Sequence, residues 1–159
     1  MSAVLVVGAG YVGLTTSACL AHLGHDVTCV DIDEERISKL SQGQIPIHES
    51  GLPDLVETGI SAQRLQFEVG STNAAPESEF VFLCLPTPQR ADGRVDVDAV
   101  LSVVNDVREL LAPGSIIVNK STVPVGTNST IASATQRDDL HVVSNPEFLR
   151  EGSAVNDFL

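Results

Sequence analysis

Val4-Leu5-Val6-Val7-Gly8-Ala9-Gly10-Tyr11-Val12-Gly13 opens the chain with an apolar strand that runs straight into a glycine-rich turn. The stretch from Leu14 to about Leu23 continues as a helix, and a second apolar strand, Val27-Thr28-Cys29-Val30, ends at Asp31. Each glycine has its own physical task. Gly8 permits the tight turn, Gly10 lets the backbone approach a pyrophosphate, and Gly13 lets the helix pack closely on the strand. Free N–H groups and the positive dipole at the helix start then suit the phosphates. Asp31 lies about twenty residues past the glycines, where a carboxylate accepts hydrogen bonds from an adenosine ribose and repels the 2′-phosphate of NADP. Three glycines alone are a common turn. The strand before them, the helix after them and the acid closing the second strand together predict a dinucleotide site, with NAD the preferred cofactor. Arg36, read as a surface arginine on the next helix, blurs that preference only if it swings back toward such a phosphate.

The same alternation continues along the chain. Strands are expected near 3–8, 26–31, 64–68, 79–85, 115–119 and 140–144, and helices near 11–23, 33–42, 52–59, 96–111 and 126–136. Continuous apolar strands between helices imply an α/β fold with a parallel sheet covered on both faces. Six strands in two βαβαβ halves predict a Rossmann-type, doubly wound sheet of order 3-2-1-4-5-6, with ligands in the crevice at the carboxyl ends. Residues 1–159 read as one such domain. Gln42 to Pro53 is turn-rich and is expected to cross the sheet edge. Ser153 to Leu159 reads as the beginning of a helix at which the sequence stops.

Composition narrows the function classes. The formal net charge is −12, with Lys39 and Lys120 the only lysines, which argues against a nucleic-acid or anionic-membrane surface. An anionic ligand must therefore be held by local backbone donors and a few cations. No apolar run approaches the ~20 residues that span a bilayer, and the N-terminus enters its first strand without a basic leader, so a cytoplasmic protein is expected. Cys19, Cys29 and Cys84 match no metal or redox spacing and read as small buried hydrophobes. Cys84 is the least secure of the three, because strand ends face the crevice.

Three later segments are placed to carry chemistry. Leu85-Pro86-Thr87-Pro88 follows the fourth strand and sits beside the cofactor in this architecture. The fifth strand leads into Asn119-Lys120-Ser121-Thr122-Val123-Pro124-Val125-Gly126-Thr127, where Thr122 can bond a cofactor ribose or a water while Ser121 or Thr127 can simply cap a helix. The sixth ends in Ser144-Asn145-Pro146-Glu147-Phe148-Leu149-Arg150-Glu151-Gly152. Two carboxylates beside a cofactor cleft suit general acid–base work, and the backbone donors of Phe148 and Leu149 can hold a phosphate or hydroxyl. The plainer reading makes Glu147 and Glu151 a helix-start cap and a solvated charge.

In order and in register, Gly8–Leu14, Pro46-Ile-His-Glu-Ser-Gly-Leu52, Pro86-Thr-Pro88, Lys120–Gly126 and Asn145–Glu151 closely resemble the UDP-glucose/GDP-mannose dehydrogenase family, nearest its UDP-glucose branch. The resemblance covers essentially the whole chain and matches only that family's N-terminal, NAD-binding domain. It implies oxidation of the C6 alcohol of a nucleotide sugar, UDP-glucose in the first place, to the carboxylate of UDP-glucuronate with two NAD. By matching motif, it assigns Gly8, Gly10, Tyr11, Val12, Gly13, Asp31, Arg36, Pro86, Thr87 and Thr122 to the cofactor. Thr122, Glu147 and Glu151 match catalytic positions, and Phe148, Leu149, Arg150 and Glu151 match the stretch that runs along the nucleotide sugar. The family's nucleophilic cysteine, catalytic lysine and homodimer-building helix belong to a later part that these residues do not match. A chain that binds NAD without completing the reaction is therefore expected. The alternatives are a standalone NAD-binding or sensing module, a GDP-mannose or UDP-N-acetyl-sugar dehydrogenase, and a different Rossmann dehydrogenase with a similar start.

Overall fold

A computed structural model describes all 159 residues. Its centre is a six-stranded sheet of β1 (Ala3–Val7), β2 (Asp26–Asp31), β3 (Leu65–Val69), β4 (Phe80–Leu83), β5 (Ile116–Asn119) and β6 (His141–Ser144). The strands pair in parallel throughout, in the order β3-β2-β1-β4-β5-β6 that the sequence predicts. The helices are α1 (Tyr11–His22), α2 (Glu34–Ser41), α3 (Leu52–Ser61), α4 (Asp98–Val107), α5 (Thr127–Thr135) and α6 (Ala154–Phe158). None of them is long and apolar enough to cross a membrane.

Alternation along β1 builds a separate core on each face of the sheet. Val4 and Val6 point toward α1 and α3, packing with Leu14, Ala18, Leu52 and Val56. Leu5 and Val7 point the other way and pack with Val100 and Val104 of α4 and Ile131 of α5. Each fully buried aliphatic side chain contributes about 1.5–3 kcal/mol of transfer free energy, so the faces together outweigh any surface ion pair here. Helix α1 is buried from Gly13 through Cys19, because it is wedged between the sheet and α3 rather than lying on the surface. The outer strand β6 is mostly exposed, with Val143 at 45%.

The fourth strand and the fourth helix differ most from the expected limits, each for a local reason. The fourth strand covers Phe80–Leu83, not 79–85, because Lys120 and Ser121 both donate to the Leu83 carbonyl and close the ladder there. The fourth helix covers Asp98–Val107, not 96–111. The Asp96 carboxylate accepts from Asp98 N–H and Arg90 outside the helix, and after Val107 the chain tightens into a turn in which Leu110 and Leu111 both donate to the Val107 carbonyl. A short 3₁₀ turn at Ala75–Glu77, absent from the sequence reading, leads into β4.

The asymmetry between core and edge gives a direct test. Ile117→Ala should cost about 2–5 kcal/mol in chemical denaturation, because Ile117 is fully buried. Val143→Ala on the exposed edge should stay within about 0.5 kcal/mol.

Candidate functional site

At the end of β1, Gly8 takes φ +103° and donates its N–H to the Val30 carbonyl at 2.8 Å. A side chain at Gly8 would run into the Cys84 carbonyl, and one at Gly13 would overlap the Gly8 carbonyl oxygen. These two glycines are internal requirements of packing. Gly10 is different. It has an ordinary φ of −79° at the N-cap of α1, and nothing lies within 4 Å of where its Cβ would be. No carboxylate caps this helix start, and no acidic residue stands in its first turn. The N–H groups of Tyr11, Val12 and Gly13 are the unpaired donors that every helix start leaves. An open approach over Gly10 onto free N–H groups fits the pyrophosphate of a dinucleotide.

Asp31 closes β2 on the same side. Its Oδ2 accepts from Ala9 N–H at 2.8 Å and from Arg36 Nη1 at 2.9 Å, and its Oδ1 accepts from Asp33 N–H at 3.1 Å. Burial would raise this carboxyl, but the bonds from Ala9, Asp33 and Arg36 outweigh it and hold the group below the usual carboxylate range. Three of about four acceptor directions are used, which leaves Oδ1 one direction for a ribose hydroxyl. Arg36 is therefore neither a plain surface arginine nor free to meet a phosphate; it is paired to Asp31. Beside it, a cavity of about 300 Å³ runs between Gly8, Val30, Asp31, Ile32, Leu85 and Val103. This is the low end of the size range for small-molecule sites and fits an adenosine. The residues present thus fit NAD from adenine to pyrophosphate.

The other half of the crevice lies where β4, β5 and β6 end. The Thr87 hydroxyl donates to the Thr122 carbonyl at 2.9 Å, joining the Pro86–Pro88 loop to the loop after β5. Ser121 accepts from Leu85 N–H at 3.1 Å and donates to the Leu85 carbonyl at 2.8 Å, so it ties β4 to β5 and caps no helix. Thr127 donates to the Pro124 carbonyl, and the N-cap of α5 is Gly126. Lys120 is buried; its Nζ lies 3.3 Å from Asn145 Oδ1 and 3.5 Å from Glu147 Oε2. That Oε2 is itself buried without a hydrogen-bond partner. Glu147 Oε1 accepts from Leu149 N–H, so this backbone donor is occupied and not free for a ligand. Neither Glu147 nor Glu151 caps α6, whose N-cap Ser153 makes no side-chain bond to the helix backbone and instead donates its hydroxyl to Asp157 Oδ2 at 3.1 Å. Phe148 is 84% exposed, Glu151 is exposed, and Thr122 is exposed at the mouth of β5.

Arg150 does not reach along the loop. Its Nε and Nη2 pair with Asp157 Oδ2 and Oδ1 at 3.0 and 2.6 Å. The Arg150 guanidinium outweighs desolvation and holds Asp157 at about 2. The thiols behave as the sequence suggests: burial pushes Cys19 up to about 11, Cys29 to about 12 and Cys84 upward too, so all three are neutral.

Two functional residues escaped the sequence reading. Lys120 was visible as one of two lysines, set at the end of an apolar strand. Glu49 gave no local signal, because its partners lie 38, 103 and 105 residues away. The turn-rich segment that carries it does not simply round the sheet edge. It returns to the start of α1, where the Tyr11 hydroxyl donates to Glu49 Oε2 at 2.6 Å.

Fold and site together define a Rossmann domain built for a dinucleotide. Residues 2–159 match the family model described as "UDP-glucose/GDP-mannose dehydrogenase family, NAD binding domain". The chain belongs to this family, and its cofactor is NAD. It is 44% identical to a UDP-glucose 6-dehydrogenase of Rhizobium meliloti over 98% of its own length and 37% of the relative's. Among solved structures, a UDP-glucose dehydrogenase from Pyrobaculum islandicum superposes with TM-score 0.91 at 34% identity, covering 99% of this chain and 38% of that one. A GDP-mannose dehydrogenase from Pseudomonas aeruginosa, solved as a ternary complex, gives 0.88 at 31%, covering 98% and 38%. The chain thus spans a little over a third of the length of the relatives it matches.

Gly10→Ala should leave the fold intact and weaken NAD about tenfold or more in calorimetry, a loss of about 1.4 kcal/mol. Gly13→Ala should instead lower unfolding stability by about 1–3 kcal/mol, the range for overpacking. The Arg150–Asp157 pair adds a pH signature. Because the folded value of Asp157 lies below its ordinary 3.8, the pair stabilises fully above that value and fades as the pH falls toward about 2. Asp157→Asn should flatten urea-unfolding stability across that window and leave its slope elsewhere unchanged.

Proposed function

We propose that this chain holds NAD and one side of a nucleotide sugar for a dehydrogenase that oxidises the C6 alcohol of UDP-glucose to the carboxylate of UDP-glucuronate. The observation that carries this reading is Glu147 Oε2, a buried carboxylate oxygen without a hydrogen bond, set beside Lys120 where β5 and β6 end. A buried acceptor with a lone pair to spare can take a proton or hold a water, and the Lys120 ammonium lies 3.5 Å from it. Bound NAD supplies the hydride acceptor, twice per sugar oxidised, and water supplies the second carboxylate oxygen. The chain's own residues bind and orient. The first-turn N–H groups of α1 hold the pyrophosphate, and Asp31 Oδ1 takes a ribose hydroxyl. Thr122 steadies the water, and Glu151 serves as the second acid–base group. Phe148, exposed on its loop, offers a surface for the nucleotide sugar with Leu149, while Arg150 contributes its backbone rather than its guanidinium.

UDP-glucose is favoured over GDP-mannose because relatives at 44% identity bear the name UDP-glucose 6-dehydrogenase, while the GDP-mannose dehydrogenase stands at 31%. The three free thiols suit the reducing cytoplasm. The family's nucleophilic cysteine and lysine lie outside these residues, as does the helix of its homodimer. NAD should therefore bind this chain about tenfold or more tightly than NADP in calorimetry; equal or reversed affinities would overturn the role given to Asp31. Mixed with NAD and UDP-glucose, the chain should give no sustained rise in NADH absorbance. Steady turnover would mean that the cysteine and lysine are dispensable.

A further inference from the structure

Glu49 is 4% exposed and takes no part in the cofactor contacts or in the chemistry assigned to the loop after β6. Its carboxylate nevertheless binds both regions. Oε2 accepts from the Tyr11 hydroxyl at 2.6 Å and from Gly152 N–H at 2.7 Å, and Oε1 accepts from Ala154 N–H at 2.9 Å. Tyr11 is the first residue of α1, and its own backbone N–H is among the free donors at the open approach over Gly10. Gly152 directly follows the Glu147–Glu151 stretch, and Ala154 begins α6. One buried carboxylate thus has the cofactor helix on one side and the β6 loop on the other. A carboxylate can serve three donors at once because it only accepts. A carboxamide in its place would turn an N–H₂ toward at least one of those donors and break the join.

We propose that Glu49 is a positioning residue: through Tyr11 it ties the nucleotide-sugar loop to the cofactor helix, so that filling one site tightens the other. This rests on the reading of residues 147–152 as the nucleotide-sugar loop. A ligand on the Tyr11 N–H fixes the residue whose hydroxyl meets Glu49 at 2.6 Å and lies 3.3 Å from the Arg150 carbonyl of the loop, and Glu49 in turn fixes the two amides beyond the loop. By linkage the effect is mutual: whatever NAD does for the loop, a sugar nucleotide on the loop does for NAD.

Amide hydrogen exchange on this chain, with and without NAD and with and without UDP-glucose, tests the join. In the wild type, saturating NAD should slow exchange of the Gly152 and Ala154 amides about tenfold, within the usual range of coupling between sites. Tyr11→Phe keeps Glu49 on both amides but removes the hydroxyl contacts of α1 to Glu49 and to the Arg150 carbonyl. Its unliganded rates should stay close to wild type while the slowing by NAD disappears, a separation that a merely structural carboxylate would not produce. Glu49→Gln, which retains the Tyr11 hydroxyl, should speed exchange at both amides about tenfold without ligand and lose the slowing by NAD, with the NAD dissociation constant changed by no more than about threefold. Slowing by NAD that survives in Tyr11→Phe, or is absent from the wild type, overturns the proposal, and Tyr11→Phe decides it even if Glu49→Gln does not fold. The UDP-glucose arm is separate. If that ligand leaves the Phe148–Glu151 amides of the wild type unchanged, the nucleotide-sugar reading fails, while the NAD arm still decides for or against the join.

Discussion

The close approach of α1 to the end of β1 is the contact on which everything else depends. A Cβ at Gly13 would overlap the Gly8 carbonyl, and one at Gly8 would meet the Cys84 carbonyl. With both absent, three pieces of backbone come together at the middle of the sheet, and the axis of α1 is fixed so that its first turn opens onto the crevice. The free N–H groups are then aimed by packing rather than by any side chain that might compete for them. Gly10 completes the arrangement from the opposite direction. Nothing inside the protein requires a glycine there, so its missing side chain serves space outside the chain.

Carboxylates act as joints in this molecule more than as surface charge. Asp31 gathers the Ala9 and Asp33 amides and Arg36, and so sets the turn and the following helix against each other. Glu49 gathers Tyr11 and the amides beyond the β6 loop. Each accepts three hydrogen bonds and sits where a net charge of −12 would otherwise disfavour more negative charge. Charge-assisted bonds of this kind are about twice as strong as neutral ones. An acidic protein can therefore hold an anionic cofactor: no acidic residue stands in the first turn of α1, and the local donors decide.

The sheet order and the dinucleotide turn were legible because both are written in short-range pattern. β1, the glycines, α1 and Asp31 occupy one continuous stretch, and alternating apolar strands and helices leave few topologies open. The limits of β4 and α4 were not legible, since they depend on which carbonyls neighbouring segments claim. The site divided in the same way. Asp31 and Gly10 could be placed from spacing, but the capture of Arg36 by Asp31, of Arg150 by Asp157 and of Leu149 N–H by Glu147 could not. Those pairings depend on the reach of each side chain, which the backbone around it sets. Glu49 is the extreme case, with its partners at opposite ends of the chain.

A ¹H–¹⁵N NMR titration of this chain with NAD addresses the central claim most directly. The account predicts that the amides of Gly10 through Gly13 and of Asp31 and Ile32 shift together, saturating along one binding curve, while those at the opposite, amino-terminal end of the strands, at Gly114 and Ser115 just before β5, stay still. Shifts that bypass the Gly10–Gly13 turn, or no saturable shift at all, would contradict it.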